Sequence, residues 1–212
     1  MSEIISNFAV LEGCDGSGTT TQIAIITERL KKIQKPLFFP TFEPTNSQIG
    51  RIIRAALKKE INLEPETLAM LFASDRNEHL YGKDGILAHT KKGVLAVSDR
   101  YVLSSFVYQG IECGDELPKR LNSGFPLPEL TIFLDIKPEI ALERIKNRDS
   151  VELYEYLDFQ EKVREKYLAI LGNNKTGRVE IVDASRTLEE VASQIWSIIT
   201  QMPIFNASEN SI

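Results

Sequence analysis

The sequence predicts an α/β fold: a doubly wound, five-stranded parallel sheet flanked by helices, with a small lid. Three observations predict it. Short apolar runs alternate with longer helical patterns, the signature of βαβ units around a parallel sheet. The first apolar run empties into a glycine-rich turn that opens a helix. A length of 212 residues at 42% hydrophobic content suits one well-packed domain.

In chain order, buried strands are predicted at residues 8–11, 36–39, 94–97, 130–134 and 179–182, each a short apolar run. Between them, helices are predicted near residues 20–33, 47–59, 65–91, 102–110, 138–147, 156–171 and 187–201. The long 65–91 stretch contains Gly82 and Gly85, so a kink or break is expected there. Residues 149–155 interrupt two amphipathic segments and read as a mobile loop. The expected organisation is a single domain over residues 1–202, with a lid at about 147–156 and a frayed tail over 203–212. No internal repeat or interdomain linker is present in the sequence.

Composition excludes several classes. The formal charge is −5 with both signs mixed along the chain, so there is no basic stripe of the kind nucleic-acid binding needs. No apolar run approaches the ~20 residues of a membrane span. Met1-Ser2-Glu3 lacks the charged start and apolar centre of a signal peptide. Cys14 and Cys113 lack zinc-ligand spacing and do not make a disulfide framework. A reducing cytoplasm is the expected home.

The turn Gly13-Cys14-Asp15-Gly16-Ser17-Gly18-Thr19-Thr20 fits the phosphate-binding P-loop pattern at every position but one, with Thr19 where the pattern has lysine. In such a loop the backbone N–H groups point inward around a phosphate, and the following helix aims its positive dipole end at the same anion. Glycines at 13, 16 and 18 let the backbone come close. Thr20 holds the position of the magnesium-ligating hydroxyl. A nucleoside triphosphate and Mg²⁺ are therefore expected here.

Two further constellations add acceptor chemistry. Ser98-Asp99-Arg100-Tyr101 follows a predicted strand, and ligands gather at the carboxyl ends of strands in open parallel sheets. Asp99 is placed to accept from magnesium-bound water or Thr20, and Arg100 to fork onto a phosphate. Phe72 and Arg76 lie four apart on one helix face, an aromatic ring and a guanidinium that suit a base and a phosphate. Ser104, Ser105, Tyr108 and Gln109 offer hydroxyls and an amide. Each also has a plain structural reading, as cap, ion pair or core residue.

Taken in order, these segments resemble the thymidylate kinases, P-loop nucleoside monophosphate kinases, from Phe8 to about Ile199. Glu12 through Gln22 matches the family's loop, and Ser98–Tyr101 its Asp-Arg-Tyr/His segment. Ser104-Ser105-Phe106-Val107-Tyr108-Gln109-Gly110 is similar to its Ser-Ser-x-Ala-Tyr-Gln-Gly helix. Pro128-Glu129-Leu130 and Leu134-Asp135 are similar to its fourth strand, and Val182-Asp183-Ala184-Ser185 to its late turn beside adenine. The resemblance implies ATP-dependent phosphorylation of dTMP to dTDP by a homodimer. It also implies site roles. Gly13, Asp15, Gly16, Ser17, Gly18, Thr19, Thr20, Thr21, Arg144 and Ala184 would face ATP, and Thr20 and Asp99 the metal. Phe72 would stack on thymine, and Arg76 and Arg100 would hold the dTMP phosphate. Ser104, Ser105 and Gln109 would meet the base edge, with Asp15 on the 3′-hydroxyl and Tyr108 crowding the 2′ position. Asp15, Arg100 and Arg148 would be catalytic.

The chain departs from the family at three cations: Thr19 for the loop lysine, Phe42 for an arginine before Glu43-Pro44, and Leu153 for a lid arginine. Phosphoryl transfer relies on charge neutralisation, so Arg144, Lys146 and Arg148 at the lid are expected to compensate. The alternatives are a kinase for another nucleoside monophosphate and a catalytically weakened nucleotide-binding homologue.

Overall fold

The structure, a computed structural model, describes residues 3–34, 36–146, 153–154, 156–172 and 177–206. Five strands, β1 (Ile4–Gly13), β2 (Phe38–Phe42), β3 (Leu95–Asp99), β4 (Leu127–Asp135) and β5 (Val179–Asp183), form one sheet in the order β2-β3-β1-β4-β5. All pairings are parallel. Side chains alternate faces along a strand, and β1 shows it: Ala9 and Leu11 join the larger core cluster, Phe8 and Val10 the smaller one on the other side. Apolar burial on both faces is why the three inner strands, β1, β3 and β4, read as continuous apolar runs rather than alternating ones.

The helices are α1 (Thr19–Ile33), α2 (Gln48–Leu57), α3 (Pro65–Tyr81), α4 (Ile86–Thr90), α5 (Val102–Glu112), α6 (Glu116–Asn122), α7 (Pro138–Ile145), α8 (Leu157–Leu171), α9 (Leu188–Ile199) and α10 (Pro203–Asn206). The expected break of the 65–91 stretch falls between α3 and α4, at Gly82 to Gly85. A Cβ at Gly85 would run into the His79 and Leu80 carbonyls, which is why glycine stands there. α9 starts on a capping box, with Thr187 and Glu190 bonding each other's backbone N–H.

Three expectations are corrected. β2 runs to Phe42 rather than ending at Phe39, because Pro40 is tolerated on an edge strand. α6 was not expected; its Pro118 lies in the first turn, where a missing N–H costs nothing. The segment expected to begin the tail, Pro203–Asn206, is a helical turn, with Phe205 edge-on to Trp196 at 6.2 Å. Residues 207–212 lie outside the described residues, as does most of the expected lid, including Arg148. Among the described residues no helix is long and apolar enough to cross a membrane.

Candidate active site

β1 and β3 end side by side, Leu11 opposite Asp99, and deliver the glycine-rich loop and the Asp99-Arg100 pair to one end of the sheet. The loop turns through left-handed Gly16 (φ 82°) and Gly18 (φ 99°) into the N-terminus of α1. Gly16 also sits against the Ala141 carbonyl, where no Cβ would fit. A cavity of about 930 Å³ opens over this loop, bounded by Asp15 to Gln22, Phe42, Asp99 and Arg100, and by Arg144, Ala184 and Leu188 at its far end. Gly13 is packed behind it, its carbonyl accepting from Arg100 Nη1 at 3.0 Å.

Thr20 Oγ1 donates to Asp99 Oδ2 at 2.5 Å, while the buried Asp99 Oδ1 has no partner among the described residues. A hydroxyl and a carboxylate with spare acceptor capacity, beside a phosphate loop, are the hard oxygen donors Mg²⁺ takes. Among the described residues no group of three or more His, Cys, Asp or Glu is placed to hold a metal. The donor set therefore fits an ion that arrives with a nucleotide's phosphates rather than one held in a protein cage.

Arg100 is held from several sides. Nη2 donates to Asp15 Oδ1 at 2.5 Å and Nη1 to Ser104 Oγ at 3.2 Å, and the guanidinium lies 4.9 Å from the Tyr108 ring centre. Burial opposes its charge, but Tyr108 and Asp15 hold it protonated well above its usual range. Asp15 is fixed as tightly: Gln160 accepts its N–H at 3.0 Å and donates to Oδ2 at 2.8 Å, and the Tyr108 hydroxyl donates to Oδ1 at 3.2 Å.

A second, narrower cavity of about 110 Å³ lies beyond Arg100 and shares Asp15, Glu43, Pro44, Leu57 and Arg100 with the first. Phe72, Arg76, Ser104, Ser105, Tyr108 and Gln109 all line it, so the structure brings together every acceptor-side residue expected from sequence. Arg76, expected on the dTMP phosphate, is absent from the wall of the phosphate-loop cavity. It lines the narrow cavity alone, 1% exposed, paired to Glu43 through Nε at 2.9 Å and Nη2 at 2.8 Å. Its remaining donors reach Ser105 Oγ, the Tyr101 carbonyl and Asn122. Ser104 likewise spends its hydroxyl on Glu12 and Arg100.

Thr19 lies on the loop cavity's wall, buried in the first turn of α1. Among the described residues, four arginines border that cavity: Arg54, Arg100, Arg144 and Arg186. Asp15 partners Arg100 and Asp183 partners Arg186 at 3.4 Å. Arg54 donates to the Pro44 carbonyl and Asn46, and Arg144 to the Ala184 carbonyl; neither has a carboxylate partner among the described residues. Leu153, in a lid arginine's place, bonds the Leu57 carbonyl through its N–H at 2.8 Å.

Sequence reasoning missed Arg54, Glu43, Gln160 and Tyr154 at this site. Arg54 reads as one more basic residue on an amphipathic helix, and only the fold turns it to the cavity. Gln160 carried no motif signal.

Comparison with known proteins points to one family. The family model described as thymidylate kinase matches residues 11–195. A protein of Treponema pallidum (strain Nichols), provisionally described as a thymidylate kinase, is 41% identical over 91% of this chain and 94% of its own. A Pyrobaculum aerophilum protein, with a similarly qualified description, is 39% identical over 93% of this chain and 98% of its own. The thymidylate kinase of Ligilactobacillus salivarius (strain UCC118) is 34% identical over 91% and 96%.

Proposed function

The chain belongs to the thymidylate kinase family and is an ATP-dependent phosphotransferase acting on dTMP, and we propose that it does so with the residues of the two joined cavities. The observation that carries the assignment of roles is the shared wall. A wide cavity floored by the phosphate loop meets a narrow aromatic one at Asp15 and Arg100, as two nucleotides meeting phosphate to phosphate require.

ATP lies in the wide cavity. Its phosphates take the N–H groups of Gly16 to Thr21, and its base lies toward Arg144 and Ala184. dTMP enters the narrow cavity, where Phe72 stacks on the ring and Arg76, Ser105 and Gln109 read its edge. Arg100 holds the acceptor phosphate. Asp15 takes the sugar hydroxyl, and Tyr108, packed against Asp15, narrows the space beside it. Magnesium bound with ATP would be held by Thr20 and Asp99 and supplies neutralisation of phosphate charge.

The transferred group passes through a loose transition state, so the protein's work is positioning and charge. Arg100 straddles both cavities and steadies the equatorial oxygens as they approach the acceptor. Arg54 and Arg144, which have no carboxylate partner among the described residues, supply charge that Thr19 does not. Arg148, outside the described residues, belongs to the same proposal. The enzyme acts as a homodimer in the cytoplasm, a reading supported by the family resemblance and by two free cysteines.

The test is product analysis of the full chain with ATP, Mg²⁺ and a panel of nucleoside monophosphates. dTDP is expected, with dTMP the preferred acceptor. Nucleotide binding without turnover, or preference for another monophosphate, would overturn the reading.

A further inference from the structure

Glu12 lies just before the phosphate loop, with no exposed surface and no place on either cavity wall. Burying a carboxylate is costly unless donors surround it, and here burial pushes its pKa up against several hydrogen bonds. Oε1 accepts the Tyr101 N–H at 2.9 Å and, more distantly, the Ser104 N–H at 3.4 Å. Oε2 accepts from Ser104 Oγ at 2.6 Å and from the Tyr167 hydroxyl at 2.8 Å.

Those donors surround Arg100. Tyr101 follows it in the chain, and Ser104 Oγ accepts its Nη1. Arg100 itself stands at φ +70°, a left-handed conformation that a long side chain rarely adopts and that surrounding structure must enforce. We propose that Glu12 is a positioning residue for acceptor-phosphate binding: through the Tyr101 N–H it holds the left-handed turn, and through the Ser104 hydroxyl it aims the Arg100 guanidinium at the seam between the cavities. The inference rests on the assignment of Arg100 to the dTMP phosphate.

Glutamine would keep the shape and one acceptor, but its amide would face the Ser104 and Tyr167 hydroxyls, both of which donate to the carboxylate. Ser104 would then have to accept from glutamine and Arg100 together. A role in packing alone would survive that change; a role in aiming Arg100 would not.

The discriminating probe is thymidine, which carries the base and sugar of dTMP without the phosphate. Calorimetric titration of the full chain should show Glu12→Gln and Ser104→Ala weakening dTMP about tenfold or more, the scale of one charge-assisted link. Thymidine and ATP affinities should stay within about twofold, and Tyr167→Phe should lose less, since the Tyr167 hydroxyl bonds Glu12 and Ser104 and reaches Arg100 only through Ser104. Parallel losses of dTMP and thymidine, or an unchanged dTMP affinity in both variants, would overturn the inference. Should Glu12→Gln not fold, Ser104→Ala decides, because it cuts the link and leaves Glu12 its Tyr101 and Tyr167 donors. Failure of the underlying assignment looks different: the unaltered protein would bind dTMP no better than thymidine.

Discussion

Restoring lysine at position 19 perturbs the feature in which this chain departs most from its family. Thr19 is 7% exposed and lies in the first turn of α1, on the wall of the wide cavity, next to the Thr20–Asp99 pair. A charge held about 4 Å from a phosphate is worth from about 1 kcal/mol in a water-like medium to about 4 kcal/mol at a partly shielded site. Removal of a single transition-state donor elsewhere costs about 10²–10³-fold in rate. Part of that charge is already supplied by Arg54 and Arg144, so Thr19→Lys should raise kcat by about tenfold rather than the full amount. A cation at a helix N-terminus opposes the dipole by about 0.3–1 kcal/mol, lowering Tm by about 1–4 °C without nucleotide. The gain should be larger in an Arg144→Ala background, where less charge is in place. The assay is steady-state dTDP formation at saturating ATP, Mg²⁺ and dTMP, alongside thermal melts. A folded Thr19→Lys variant with kcat unchanged or reduced would refute the claim that the loop is short of positive charge.

Other consequences are as direct. Arg100→Ala removes the links to Asp15, Ser104 and Gly13 together, so dTMP affinity should fall about 10²-fold with ATP affinity kept; unchanged dTMP binding in a titration would contradict its role. Asp99→Asn keeps the shape and the bond from Thr20 but lowers the charge offered to the metal, so a Mg²⁺ titration of activity should shift about tenfold upward, and an unmoved curve would count against that site. Burial, helped by the charge of Asp15, pushes the Cys14 thiol up to about 11, so its thiolate is scarce at pH 8 and grows only as pH rises. Iodoacetamide at pH 8 should therefore label half-buried Cys113 first and spare Cys14 until the protein is unfolded; native-state labelling of Cys14 at a free-thiol rate would be the contrary result.

Much of this architecture was legible because its signals are local. Doubly buried strands give continuous apolar runs, and the loop's glycines serve a backbone shape that residue type alone reveals. The Gly82–Gly85 break could be read for the same reason. What could not be read depends on distant partners. Arg76 reads from sequence as a phosphate-holding guanidinium, and its pairing with Glu43, 33 residues away, leaves no local signal. Gln160 lies 145 residues from the Asp15 that it clamps. Pro40 and Pro118 look like breakers until an edge strand and a first helical turn make their missing N–H harmless. Arg54, on an amphipathic helix, needs α2 docked beside the loop before its side chain reaches the cavity.

The shared wall between the two cavities is best probed with one molecule long enough to fill both, an adenosine and a thymidine joined through their 5′-positions by a chain of phosphates. Titrated into the full chain with Mg²⁺, it should bind once per chain, more tightly than ATP or dTMP alone, and displace both. Displacement of only one of the two, or affinity no better than the better single nucleotide, would mean that the two sites do not meet at Arg100.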